Sequence, residues 1–267
     1  MTPRAMLEVL LAPGAIRMEF QPIVTVTNDG VSLYALEALT RGPRGTSMES
    51  PNVLFEYARR KGEETRVDLL CIAEAFEAAR TLPGLPVISI NIHGSTLSSV
   101  PHFADTFLES AISHGIAPQR LMLEIVEHRA PWAIDRLQLT IAQLREAGVR
   151  IALDDLGVGA SNYHLFVDCR PDHIKVDRYL VKNCHRDAYR IAVLRSIVAL
   201  GNACGAIPIA EGIEFHEDLM TVRDLGIVHM QGWMFSKSLP PAEIAESRFL
   251  NDMKRTDDHE EKSTARR

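Results

Sequence analysis

Short apolar runs recur along the chain, separated by longer stretches with a helical period. The runs RMEFQPIVTV (17–26), LYALEAL (33–39), PVISINI (86–92), LMLEIV (121–126), VRIALD (149–154), DHIKV (172–176), AIPIAE (206–211) and IVHMQG (227–232) have strand length and composition. Amphipathic stretches lie between most of them: 67–80, 130–148, 188–205 and 215–226. Gly148, Gly205 and Gly226 close three of these, as helix C-termini commonly require. The first two runs flank TNDG, a turn signal that predicts an antiparallel hairpin. From the third run onward strands and helices alternate, which implies a mainly parallel sheet. Eight strands in about 250 residues suit an α/β fold of the closed (β/α)8, TIM-like kind. An open doubly wound sheet is the alternative, yet no glycine-rich dinucleotide loop follows an early strand.

Side-chain alternation then sorts the polar residues. Ile88, Ile90 and Ile92 share one face of their strand, and Ser89 and Asn91 the other. The same parity sets Glu124, Asp154 and Lys175 on the lumen face of the next three strands, near their C-terminal ends. Glu37, Glu211 and Gln231 complete a ring from other strands. Asp155 has the parity of the helix-facing side, so it is expected to lie beyond its strand, where the chain has turned. Two adjacent aspartates repel, and so need a metal, a basic partner or open water. Catalytic residues of such barrels gather at this C-terminal rim. Acids converging there with an amide form a hard oxygen set suited to Mg²⁺ or Mn²⁺. A metal bridging Asp154, with Asp155 serving a second ion, is the arrangement of two-metal phosphoester hydrolysis. Any one of these residues alone could be an ordinary surface ion pair. Their recurrence at one end of successive strands makes the set a site.

Composition narrows the partners. The 267 residues are 46% hydrophobic and 24% charged, with a net charge of −6. That balance argues against wrapping a nucleic-acid polymer, while leaving room for a small phosphate ligand held by metals or a few arginines. No apolar run reaches the roughly 18 residues of a membrane span. The N-terminal MTPRAMLEVLLAPGAIR is interrupted by Glu8 and reads as an amphipathic helix. Cys71, Cys169, Cys184 and Cys204 show no paired or metal-ligand spacing, so reduced thiols and a cytoplasmic location are expected. Residues 1–250 are expected to form one barrel domain. The tail 251–267, with five acidic and five basic residues and almost no apolar ones, is expected to be mobile.

The ordered motifs resemble the EAL domain family of cyclic di-GMP phosphodiesterases from Phe20 to Pro240. They are QPIV (21–24), Glu37-Ala38-Leu39 within LEALTRG, SINI with Asn91, LEIVE (123–127), LDDLGVG (153–159), IKVDR, AEGIE and QGWMFSKSLP. The resemblance implies a barrel with an antiparallel first strand that hydrolyses cyclic di-GMP to linear pGpG with two Mg²⁺ or Mn²⁺ ions. It implies that Glu37, Asn91, Glu124 and Asp154 hold one metal, Asp154 bridging to a second bound by Asp155. Lys175 would orient or activate the attacking water, assisted by Glu211, and Gln231 would fix the surrounding water. Gln21 and Arg41 would contact the dinucleotide, Arg41 as a phosphate clamp. Glu214 looks like a guanine contact, and Glu127 like the anchor of the loop after the aspartates.

The chain departs from the family pattern in that loop, where DDLGVGASN stands for the usual DDFGTGYSS. His93 replaces a common serine and Val126 a common threonine. The resemblance also suggests a homodimer, and regulation by a separate protein is expected because no sensor segment is recognised. A cyclic di-GMP receptor or protein-binding module without turnover is the alternative.

Overall fold

The computed structural model describes residues 3–12, 14–84, 86–126, 133–156 and 163–250. Eight strands close into a barrel in sequence order. They are β1 (Arg17–Thr27), β2 (Gly30–Arg41), β3 (Ile88–His93), β4 (Leu121–Val126), β5 (Arg150–Leu156), β6 (His173–Val176), β7 (Ile207–Ala210) and β8 (His229–Gln231). β1 runs antiparallel to both β2 and β8, and the other neighbours are parallel. The barrel with an antiparallel first strand is thus the observed architecture, and TNDG is the β1–β2 turn, with Thr27 paired to Gly30.

Helices precede, separate and follow the strands: α1 (Pro3–Leu10), α2 (Pro51–Lys61), α3 (Glu64–Ala79), α4 (Gly94–Ser99), α5 (Phe103–Ser113), α6 (Ile134–Glu146), α7 (Tyr163–Cys169), α8 (Arg178–Val181), α9 (Ala188–Cys204), α10 (His216–Asp224) and α11 (Pro241–Ala245). Local chemistry sets several ends. Pro51 opens α2, where its missing N–H is no loss. The Asp187 carboxylate caps the Tyr189 and Arg190 N–H groups of α9, and Gly205 closes that helix at φ 75°. The four cysteines are free thiols. Among the described residues no helix is long and apolar enough to cross a membrane. The tail 251–267 and Glu127 lie outside the described residues.

The barrel separates two apolar regions. Ile88, Ile90, Ile92, Leu121, Leu123, Ile125, Ile151 and Leu153 belong to the large core under the helices. Ile23, Ala35, Met122, Ala152 and Ile209 form a separate belt across the lumen. Below the belt, at the N-terminal end of the parallel strands, the floor is polar but uncharged. There the Tyr34 hydroxyl hydrogen-bonds His173 Nε2 at 2.5 Å, its ring lies 3.9 Å from that of His229, and Thr25 bonds His229 Nδ1 at 3.1 Å. Burial, aided by Arg150, pushes His173 down to about 4 and so keeps it neutral.

Two bulges break the alternation. Ile23 pairs with Ala35 but Val24 with Leu33, so Tyr34 is an extra residue of β2 and joins Ala35 around the lumen belt. On β5, Leu153 pairs with Ile174 and Leu156 with Val176, so two aspartates oppose the single residue Lys175. This corrects the expected end of the strand. Asp155 does not lie beyond β5, which continues to Leu156; the bulge absorbs the second aspartate instead and returns Leu156 to the outer core. Simple parity fails because the extra residue shifts every later side chain to the other face.

Candidate active site

The ring expected from parity assembles at the C-terminal ends of the parallel strands. Lys175 stands at its centre, 2% exposed. Its Nζ lies 2.7 Å from Glu124 Oε2, 2.6 Å from Glu211 Oε1 and 3.1 Å from Glu37 Oε2. Around it, the Asn91 amide donates to Glu37 Oε1 at 2.8 Å, and the Gln231 amide donates to Glu37 Oε2 at 2.7 Å and to Gln21 Oε1 at 3.0 Å. Ser89, two residues before Asn91 on the same face of β3, donates to Glu124 Oε1.

The electrostatics are unbalanced. Three buried or nearly buried carboxylates and the nearby Asp154 face a single ammonium. Burial, reinforced by Glu37 and opposed by Lys175, pushes Glu124 up to about 8. Burial likewise raises Glu211 well above the usual carboxylate range, with Asp154 and Glu37 adding to it against Lys175. Burial also acts on Glu37, but Lys175, Asn91 and Gln231 outweigh it and hold that acid low. The three glutamates in turn keep Lys175 firmly protonated despite its burial.

A hard divalent cation fits this donor set. The oxygens are carboxyl and amide, more acids gather here than one lysine can offset, and the buried Gln231 Oε1 has no hydrogen-bond partner among the described residues. As they stand, no three acids, histidines or cysteines among the described residues converge as an ion cage. Oxygens of Glu37, Glu124 and Glu211 turn to Lys175 instead.

Two cavities open at the ring and share Glu37, Leu39 and Asp154. One, of about 450 Å³, extends past Asn91 to Phe55, Arg59 and His93. The other, of about 270 Å³, extends past Lys175 and Glu211 to Glu214 and Trp233. His93 is buried, with its Nδ1 2.8 Å from Asp68 Oδ1 and its ring edge-on to Phe55. It therefore ties β3 to α3 while lining the larger cavity. In the smaller one, Glu214 lies 2.6 Å from Arg178 and 3.3 Å from Lys182. Arg178 and Lys237 flank the exposed Trp233 ring at 5.7 and 5.1 Å. Gly232 makes this wall possible, because a Cβ there would meet the Ile213 backbone at 2.1 Å.

Of the residues read from sequence, Gln21, Glu37, Asn91, Glu124, Asp154, Lys175, Glu211, Glu214 and Gln231 all line these cavities or bond directly to the ring. Arg41 lines neither; it is held by Glu19 at the outer edge. The side chain of Asp155, and with it residues 157–162 of the variant loop, lies outside the described residues. Ser89 and Trp233 carry no role in the sequence reading. Ser89 has the lumen parity that marks Asn91, whereas nothing local in the sequence marks Trp233.

The closed barrel with carboxyl groups gathered around one lysine at its rim belongs to a known class of (β/α)8 proteins. Residues 4–238 match the EAL domain model, so the chain belongs to the EAL domain family. It is 33% identical over 236 residues, 85% of its length, to the probable cyclic di-GMP phosphodiesterase PdeI of Escherichia coli, of which it spans 29%. It is 28% identical over 223 residues, 82% of its length, to the blue light- and temperature-regulated antirepressor BluF of E. coli, of which it spans 53%. Among solved structures, Klebsiella pneumoniae BlrP1 in a manganese/cyclic di-GMP complex superposes with a TM-score of 0.74 at 30% identity, over 85% of this chain and 57% of that one.

Proposed function

We propose that this barrel hydrolyses cyclic di-GMP to linear pGpG in a reaction that depends on Mg²⁺ or Mn²⁺. The observation that carries the reading is Lys175 buried among Glu37, Glu124 and Glu211, between two cavities that share Glu37 and Asp154. Glu37, Asn91, Glu124 and Asp154 would hold one ion and Asp154 with Asp155 a second; when bound, these ions make water acidic enough to ionise near neutrality and offset phosphate charge. Lys175, whose Nζ lies 2.6 Å from Glu211, would orient the attacking oxygen. Glu211, the most exposed of the three glutamates at 20%, would take up a proton from water, and burial, which raises its pKa, favours its protonated form. The kinship with PdeI and the cyclic di-GMP complex of BlrP1 support the substrate.

The kinship with BluF, together with the DDLGVGASN loop, favours a second reading as a binding module without turnover. One experiment separates the two. Purified protein is incubated with cyclic di-GMP and Mn²⁺, Mg²⁺ or EDTA, and pGpG is followed by chromatography beside Glu37→Gln. Product that requires metal and falls at least about a hundredfold in the variant supports the hydrolase. Binding of the dinucleotide with no product assigns the chain to the second reading.

A further inference from the structure

Arg41 continues the face of β2 that carries Glu37 and Leu39, and Leu39 borders both cavities. The Arg41 guanidinium is fixed at several points. Nη2 lies 2.9 Å from Glu19 Oε2 and donates to Ser238 Oγ at 2.8 Å, while Nη1 donates to the Thr40 carbonyl at 3.0 Å. Ser238 in turn donates to Glu19 Oε2 at 2.7 Å, closing a triangle of three side chains. A guanidinium has more N–H donors than these contacts use, so the clamped fork keeps hydrogens for a phosphate oxygen.

The segment that carries Ser238 is itself anchored. Phe20 and Leu239 exchange backbone hydrogen bonds at 2.7 and 2.9 Å, and the Gln21 amide donates to the Ser236 carbonyl at 3.0 Å. Gln21 also accepts from Gln231, which holds Glu37. The triangle is therefore joined to the catalytic ring through β1 and residues 236–239. A long, flexible arginine left free would sample many rotamers and lose that freedom on meeting an anion; one already clamped binds with less entropic loss. Partly exposed ion pairs contribute little to stability. Orientation of the arginine is the larger effect here.

We infer that Glu19 and Ser238 are positioning residues that preset Arg41 for a phosphate of the dinucleotide, acting on substrate binding and not on the chemical step. The inference rests on the phosphodiesterase reading and adds two residues to it.

The test measures KM and kcat for cyclic di-GMP in saturating Mn²⁺, with dissociation constants by calorimetry and thermal midpoints to confirm folding. It compares wild type, Arg41→Ala, Glu19→Ala, Glu19→Gln, Ser238→Ala and the double variant Arg41→Ala/Glu19→Ala. Glu19→Ala is expected to raise KM about tenfold with kcat within about twofold, Glu19→Gln to recover most of that, and Ser238→Ala to raise KM about threefold. On the Arg41→Ala background, Glu19→Ala should add nothing, because the two act as one unit. A KM that is unchanged or lower in Glu19→Ala, while Arg41→Ala raises it, overturns the inference and leaves the function standing. Independent, additive effects overturn it as well. If wild type neither binds nor cleaves the dinucleotide, the functional reading falls first and takes this inference with it.

Discussion

The two ends of the barrel lumen bury polar groups in opposite ways. At the rim, Glu37, Glu124 and Glu211 close on Lys175, so three acids share one ammonium. At the floor, Tyr34, His173, His229 and Thr25 bond to one another without a charge among them, since burial keeps the histidines neutral. The apolar belt of Ile23, Ala35, Met122, Ala152 and Ile209 lies between. A bulge sits at each end, at Tyr34 below and at Asp154–Asp155 above. The same device thus occurs at both ends of the lumen. What differs is whether the polar groups satisfy themselves. The floor largely does; the rim carries an imbalance that a cation and an anionic substrate can resolve.

The largest expected effect comes from removing the centre of the rim. Lys175→Met should lower turnover at least about a thousandfold, and should also destabilise the metal-free protein by roughly 3–5 kcal/mol, because the buried, ionised Glu37 loses its counter-charge and Glu124 and Glu211 lose their shared donor. Initial rates of pGpG formation and urea unfolding in EDTA check the two parts separately. If added Mn²⁺ restores most of the stability but not the turnover, the rim is a charge-balance site in which the lysine has a further chemical role.

The floor should respond to acid. The folded pKa of His173, about 4, lies below the ordinary histidine value of 6.5, so the fold favours the neutral form. The stability linked to this preference is fully present above pH 6.5 and is lost as pH falls through that value toward 4, up to about 3 kcal/mol. His173→Gln, which keeps an acceptor for Tyr34, should flatten that part of the stability profile relative to wild type. Urea titrations at several pH values between 7 and 4 give the comparison. Parallel profiles for the two proteins would mean that the floor admits water and titrates like a surface.

The smallest effect expected is that of Tyr34→Phe, which removes one buried hydrogen bond. It should cost about 1 kcal/mol of stability and leave kcat within about twofold of wild type. A large loss of turnover would show that the two ends are mechanically coupled through the belt.

Much of the barrel was legible from alternation, because a lumen-facing side chain and a helix-facing one differ in polarity residue by residue. The runs 121–126 and 17–26 match β4 and β1 almost residue for residue. The site residues on β3, β4 and β6 follow from the same count. Alternation failed at both bulges, where an extra residue depends on the neighbouring strand's register and leaves no local mark. It therefore misplaced Asp155 and gave no reason to put Tyr34 beside His173. The helices at 51–61 and 103–113 were not singled out. The first spends much of its length in charged residues around few buried ones, and only Leu54 and Ala58 are buried. The contacts of Arg41 were equally hidden, since Glu19, Arg41 and Ser238 meet only after β1, β2 and residues 236–239 are brought together by closure.

The reversed direction of β1 determines where this molecule can be wired to others. In a barrel of parallel strands the chain enters at the floor, far from the chemistry. Here Arg17 faces Arg41 and Gln21 faces Glu37, so the chain enters at the rim and only then descends. A segment joined directly to β1 would meet the barrel at the rim, beside Glu19 and Gln21. A module fused there would need only a short lever arm to tug on the mouth, whereas one placed beside the β1–β2 turn would have the whole depth of the barrel to work through.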